Sequence, residues 1–144
     1  MEQLSFFAEA GQSKGLPEEL LEYRAGFVNH PWTPELLMIK HLVEPLAGVK
    51  FNSVLLNYYR DGNDSVAWRI RFRKYPVIAS VSFGQVRSFD IRNKYNHSEK
   101  YSVRLEHGSF LLMKAGLQEN WEHRIAKSIK SMKARINLTS RVVI

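Results

Sequence analysis

The sequence contains no cysteine, which excludes a disulfide framework and any thiolate-bound metal centre. Long hydrophobic runs are missing too. No segment reaches the roughly 18 consecutive apolar residues that a membrane-spanning helix needs. The opening stretch MEQLSFFAEAGQSKG carries acidic residues, no basic leader and no apolar core, so no signal peptide is expected and the cytoplasm is the expected location. In that setting the sequon Asn137-Leu138-Thr139 is not expected to carry a glycan. There is no low-complexity tract and no internal repeat. One local absence has the largest chemical consequence: from Ala67 to Phe89 there is neither His nor Asp.

Acidic residues are also scarce relative to basic ones, with 14 Asp+Glu against 21 Lys+Arg and a net charge of +7. Such an excess is the electrostatic footprint of a nucleic-acid or other polyanion partner, though many basic domains bind nothing anionic. At 144 residues, 44% hydrophobic and 12% aromatic, the chain is expected to fold as one globular domain with a real core. Residues 1–31 read as a variable N-terminal segment and 32–144 as a helix followed by a β-rich core.

The helix signal lies in TPELLMIKHLVEPLAG. Thr33 is a good N-cap, Pro34 suits the first helical position, and Glu35 favours the positive end of the helix dipole. Leu36, Ile39, Val43 and Leu46 recur at helical spacing, and Pro45 with Gly48 is expected to end the element. After this helix the period changes to two. FNSVLLNYY (51–59), PVIASVSFG (76–84), VRSFDIR (86–92), YSVRLE (101–106), SFLLMK (109–114) and ARINLTSRVVI (134–144) are short, rich in β-branched and aromatic residues, and separated by turn signals such as Asp61-Gly62. The expected architecture is mostly β with a few helices, as an antiparallel barrel or a double-sheet jelly roll. Residues 15–31 are ambiguous between a short helix and an extended strand.

Several of these segments carry a family resemblance. FNSVLLNYYRDGNDSVAW, PVIASVSFG, LEHGSFLLMKAG, WEHRIAKS and ARINLTSR resemble, in order and nearly in spacing, the AlkB-like iron(II)- and 2-oxoglutarate-dependent dioxygenases over about the last two thirds of the chain. The resemblance implies a double-stranded β-helix, here truncated, around ferrous iron and 2-oxoglutarate. It also implies oxidative dealkylation of alkylated DNA or RNA bases, with the hydroxylated group leaving as an aldehyde. Carried over residue by residue, Asn57 and Tyr59 match the Asn-x-Tyr pair that hydrogen-bonds the cosubstrate. Arg135, Asn137 and Arg141 match the Arg-x-Asn-Leu-Thr-x-Arg signature that clamps its distal carboxylate, and His123 matches the distal metal histidine.

The residue types suit those roles. A dicarboxylate in a barrel interior calls for a cation that keeps its proton and bonds bidentately, which Arg does better than Lys. Arg135, Asn137, Thr139 and Arg141 share one face of a strand at period two. By spacing alone, the same pattern describes an edge strand with a solvated polar face. His107 reads as a hydrogen-bonding turn residue, and His30, His41 and His97 have no useful ligand spacing.

The sequence departs from the family where the metal is held. A non-haem iron oxygenase needs two imidazoles and a carboxylate on one face of the ion. The family supplies the first two ligands as His-x-Asp after a Trp, but here Trp68 is followed by Arg69-Ile70-Arg71. Guanidiniums have no lone pair to offer and repel a divalent cation. Asp61 and Asp64 fall in the preceding turn and Asp90 beyond the next strand, leaving a remodelled site as the only way to recover a carboxylate. The segment up to Pro76 is shorter than the family's, RAGFVNH runs almost directly into PWTPELL where the family places a nucleotide-recognition lid, and Ser140 replaces a usual aromatic.

As a strand, the basic run would place Arg69, Arg71 and Arg73 on one side. HRIAKSIKSMKAR adds Arg124, Lys127, Lys130, Lys133 and Arg135. These could contact phosphates without sequence preference, or could simply be solvated cationic faces. Tyr58, Tyr75, Trp68 and Trp121 could stack on bases or fill the core. Three readings follow, all for an expected monomer: a working dioxygenase with an unorthodox iron site, an inactive family member that binds nucleic acid, and a remnant that folds poorly.

Overall fold

The computed structural model describes residues 1–7, 29–69 and 77–143. Its first strands are β1 (Glu2–Phe7) and β2 (Asn29–Pro31), followed by helix α1 (Pro34–Ala47). Strands β3 (Ser53–Tyr59), β4 (Val66–Arg69), β5 (Val77–Gly84), β6 (Arg87–Asn93), β7 (Lys100–Leu105) and β8 (Ser109–Lys114) come next. A short helix α2 (Ala115–Asn120) leads into β9 (Trp121–Ile125), and β10 (Arg135–Arg141) completes the order.

The α1 start is as expected, with the Thr33 hydroxyl accepting a hydrogen bond from the Leu36 N–H at 3.2 Å. Its end differs. Pro45 lies inside the last turn, the helix runs on to Ala47, and Gly48 closes it at φ +73 with its N–H donated to the Glu44 carbonyl. Leu36 and Val43 are buried, but Leu46 is 66% exposed. At about 100° per residue, Ala47 rather than Leu46 returns to the line of Leu36 and Val43, and Ala47 packs on the core.

The strands form two sheets, one in the order β2-β1-β3-β10-β5-β8 and the other in the order β4-β9-β6-β7. Neighbours are antiparallel except β1 and β2, which run parallel. This is the jelly roll expected from the short alternating segments. The outer face of the six-stranded sheet packs Val54, Ala79, Val81 and Leu138 against Leu36 and Val43 of α1. Its inner face faces the four-stranded sheet, where Tyr59, Ile78, Phe89, Leu105, Met113 and Ile125 form a second cluster. Alternation along β5 sends Ala79 and Val81 to one cluster and Ile78 to the other, as the period-two geometry of a strand requires.

Among the elements that the residue patterns did not announce, β9 matters most, because it carries His123. In β4 the pairing register slips between Val66 and Arg69. That irregularity lets two residues three apart face the same side, as a β-bulge does.

His107 behaves as a turn residue. Its Nδ1 accepts the Gly84 N–H at 2.9 Å, and its ring meets Phe83 edge-on at 5.9 Å. Gly84 itself has φ +89, and a Cβ there would lie 2.5 Å from the Ala134 carbonyl oxygen. Both the backbone conformation and the space select glycine. Gly84→Ala is expected to lose about 2–3 kcal/mol in urea unfolding, given strain of about 1–3 kcal/mol for such a conformation and a backbone contact that cannot yield.

Candidate functional site

The strand register builds the site. On the inner face of the six-stranded sheet, β3 and β10 pair Asn57 with Asn137, Tyr59 with Arg135, Leu55 with Thr139 and Ser53 with Arg141. Across β10 from β3, Ser80 pairs with Thr139, Ser82 with Asn137 and Gly84 with Arg135. The Arg-x-Asn-x-Thr-x-Arg pattern is therefore on a central strand facing inward. It is not an edge strand with a solvated face.

Of these residues all but Ser53, Ser82 and Gly84 line a cavity of about 290 Å³ between the sheets, together with Arg69, Val66, Phe89, His123 and Ile125 from the opposite wall. Asn57, Tyr59, Arg135, Asn137, Arg141 and His123, all expected at the site, are thus brought together. Residues that the sequence reading missed include Gln3, whose Nε2 donates to Asn57 Oδ1 at 2.6 Å, and the two β5 serines. Asn137 Nδ2 donates to Ser80 Oγ at 2.6 Å. Thr139 Oγ1 donates to Asn137 Oδ1 at 2.9 Å. Small polar residues alternating in IASVS were the only available signal for the serines.

Arg135 is the unusual member. It is 2% exposed, one nitrogen donates to Ser82 Oγ at 3.0 Å, and its guanidinium carbon stands 4.7 Å from the Tyr59 ring centre. Its Nε and Nη1 are buried with no partner among the described residues. Burial pushes its pKa below the ordinary arginine value, while Tyr59 acts in the opposite direction. Among the described residues no carboxylate lines the cavity, so the charge has no counterion among them. A buried cation with unused donors on a rigid strand suits a carboxylate ligand. The residues present fit the distal end of 2-oxoglutarate.

They do not fit an iron ion. His123 stacks on Phe89 with 5.3 Å between ring centres, and its register partner on β4 is Arg69. The described residues contain no group of three His, Cys, Asp or Glu able to hold a metal, and 70–76 contain none of these residue types. Two of the three acids that might have rebuilt the site are engaged elsewhere. Asp90 pairs with Arg124 at 2.9 Å. The Arg60 guanidinium bonds Asp64 through two nitrogens, each at 2.9 Å, and holds its carboxyl well below the usual range.

The basic residues separate into distinct places. Arg69 lines the cavity, Arg135 is buried, and Lys127, Lys130 and Lys133 are exposed in the loop between β9 and β10. Arg71, Arg73 and Tyr75 lie outside the described residues. An outward phosphate-binding role for Arg135 is corrected by its burial. Trp68 is half-buried. It lies beside Arg92 and Arg124, whose guanidinium carbons are 4.1 and 4.6 Å from its ring centre, and Arg92 is paired with Glu122 at 2.6 Å.

A jelly roll that carries an Asn-x-Tyr strand beside an Arg-x-Asn-x-Thr-x-Arg strand around a basic cavity defines the class of 2-oxoglutarate-dependent oxygenases. The chain belongs to the 2OG-Fe(II) oxygenase superfamily, which it matches across residues 9–141, and it is AlkB-like. It is 40% identical over 127 residues to the alpha-ketoglutarate-dependent dioxygenase alkB homolog 3 of Bos taurus, a match covering 80% of this chain and 44% of that protein. It is 35% identical over 125 residues to the DNA oxidative demethylase ALKBH2 of Arabidopsis thaliana, covering 69% of this chain and 40% of that one. The solved structure of OsALKBH1 shares the fold at a TM-score of 0.58 and 16% identity, over 77% of this chain and 66% of the other. The chain spans less than half the length of these curated relatives. No helix among the described residues is long and apolar enough to cross a membrane.

Proposed function

We propose that this chain carries the framework of an AlkB-like 2-oxoglutarate-dependent oxygenase acting in oxidative dealkylation of alkylated nucleic-acid bases, with activity impaired at the metal centre. The observation that carries this reading is the cavity itself. It keeps the cosubstrate residues Asn57, Tyr59, Arg135 and Asn137, while Arg69 stands opposite His123. In its simplest form, the chain binds 2-oxoglutarate without iron and turns it over little or not at all.

The substrate class is proposed from the relatives, one of which is named a DNA oxidative demethylase. The exposed Lys127, Lys130 and Lys133 offer a surface for weak, salt-dependent nucleic-acid binding. Iron, when bound in the family, supplies the oxidising chemistry. The contribution of this chain's own residues is to hold and orient the dicarboxylate.

The test is calorimetric titration with 2-oxoglutarate in metal-free buffer, paired with equilibrium dialysis against Mn(II) as an oxygen-stable substitute for ferrous iron. Saturable 2-oxoglutarate binding with no stoichiometric metal uptake, and no succinate formed with iron and methylated oligonucleotides, is the expected result. Metal uptake that depends on 2-oxoglutarate and disappears in His123→Ala would reinstate a working iron site.

A further inference from the structure

The inner face of the six-stranded sheet carries one polar row that crosses four strands. Gln3 of β1 pairs in register with Asn57 of β3, Asn57 with Asn137 of β10, and Asn137 with Ser82 of β5. Residues directly opposite one another stand on the same face of a sheet, and Gln3, Asn57 and Asn137 all line the cavity. The two asparagines differ in what their amides have left to offer.

Asn137 is already committed. Its Oδ1 accepts from Thr139 Oγ1 at 2.9 Å, and its Nδ2 donates to Ser80 Oγ at 2.6 Å and to the Val81 carbonyl at 3.3 Å. Both of its amide protons are thereby used. Asn57 is committed on one side only: its Oδ1 accepts from Gln3 Nε2 at 2.6 Å, while its Nδ2 makes no hydrogen bond among the described residues. That nitrogen is not sealed in, so it opens on the cavity that Asn57 lines.

The last torsion of an asparagine is broad and roughly two-fold, so an untethered amide can present either its donor or its acceptor to a ligand. Gln3 removes that choice. With Oδ1 tied to β1, the side left for the cavity is the donor, which suits a carboxylate oxygen and not a cation.

We propose that Gln3 is a positioning residue for the dicarboxylate: acting through Asn57, it holds Nδ2 of that residue in the cavity as a ready-made donor to a carboxylate. This role rests on the reading that the cavity holds 2-oxoglutarate. It extends the site to β1, whose Gln3 precedes residues 9–141, the span of the superfamily match. Gln3 itself need not touch the ligand.

A double-mutant cycle tests whether one residue acts through another. The full chain, Gln3→Met, Asn57→Ala and the double variant are titrated calorimetrically with 2-oxoglutarate in metal-free buffer, well below the lowest melting temperature of the four. Gln3→Met is expected to weaken binding about fivefold, the scale of one neutral hydrogen bond, and Asn57→Ala at least as much. The double variant is expected to match Asn57→Ala to within about twofold, because without the amide Gln3 has nothing to position. Asn57→Val, whose branched side chain suits a strand, provides the same background should Asn57→Ala not fold. Unchanged affinity in Gln3→Met overturns the role, and so does a loss that persists in full without the Asn57 amide, as a merely structural residue would show. Either result leaves the 2-oxoglutarate reading intact. Failure of the parent chain to bind 2-oxoglutarate overturns both.

Discussion

Arg135→Met is expected to abolish 2-oxoglutarate binding while leaving the ligand-free protein as stable as the parent or more so. The guanidinium is buried with two nitrogens unused among the described residues, so the ligand-free protein bears the desolvation cost of a charge and recovers only part of it through Ser82 and Tyr59. Methionine has nearly the same length and no charge to desolvate. Replacing buried charges by well-packed apolar groups is often neutral or stabilising by about 1–4 kcal/mol. The ligand, by contrast, loses its charge-assisted contacts. At about 1.5–3 kcal/mol each, losing two of them weakens binding roughly a hundredfold or more. Thermal unfolding with and without 2-oxoglutarate reads both effects, as an unchanged or raised Tm and the disappearance of the ligand-induced shift. A fall of many degrees in the ligand-free Tm would show Arg135 to be structural.

Arg87→Met is expected to behave in the opposite way, although Arg87 is also buried and also lies beside Tyr59, 5.6 Å from the ring centre. Burial lowers its pKa as it does that of Arg135. The difference lies in its partners. Arg87 donates to the backbone carbonyls of Asp61 at 3.2 Å, Asp64 at 3.0 Å and Ala126 at 2.8 Å, tying the turn after β3 to the segment after β9. Methionine there leaves those carbonyls without their donor, in a place where an unsatisfied buried group costs about 1–3 kcal/mol. The expected loss is about 3–4 kcal/mol, equivalent to roughly 10 °C in Tm for a domain of this size. 2-Oxoglutarate should still bind below the lowered Tm. If Arg87→Met melted with the parent, the carbonyl contacts would have to be replaceable by water.

The contrast between these two arginines shows what the sequence could and could not disclose. The inward face of β10 was legible because Arg135, Asn137, Thr139 and Arg141 recur at a strict period of two, and period is a property of the chain alone. The start of α1 was legible for a similar reason, since Thr33 and Pro34 act on their own neighbours. Arg87 and Arg135 are the same residue type on two predicted strands. Only the tertiary surroundings decide that one meets three carbonyls and the other meets none. Arg69 illustrates a different limit. Alternation along RIRFR suggested an exposed basic stripe, and a backbone irregularity that no residue type announces turned its first member inward. The strand β9 was short and polar, so its pattern was too brief to stand out, although it carries His123. The contact of Trp68 with Arg92 and Arg124 depends on β9 and β6 following β4 in the smaller sheet, which spacing cannot supply.

The order of strands has one more consequence. Exposed margins of a fold open at little cost, while its centre opens only with the whole molecule. Asn57, Tyr59, Arg135 and Asn137 lie on β3 and β10, each hydrogen-bonded on both sides within the larger sheet. Arg69 lies on β4, a four-residue strand at the margin of the smaller sheet and, among the described residues, paired on one side only. The β3–β10 wall of the cavity is thus expected to keep its shape until global unfolding, and the β4 margin of the other wall to fray locally. Of the strands that line the cavity, β4 is therefore among those expected to open at the least cost, and the guanidinium at position 69 would move with it.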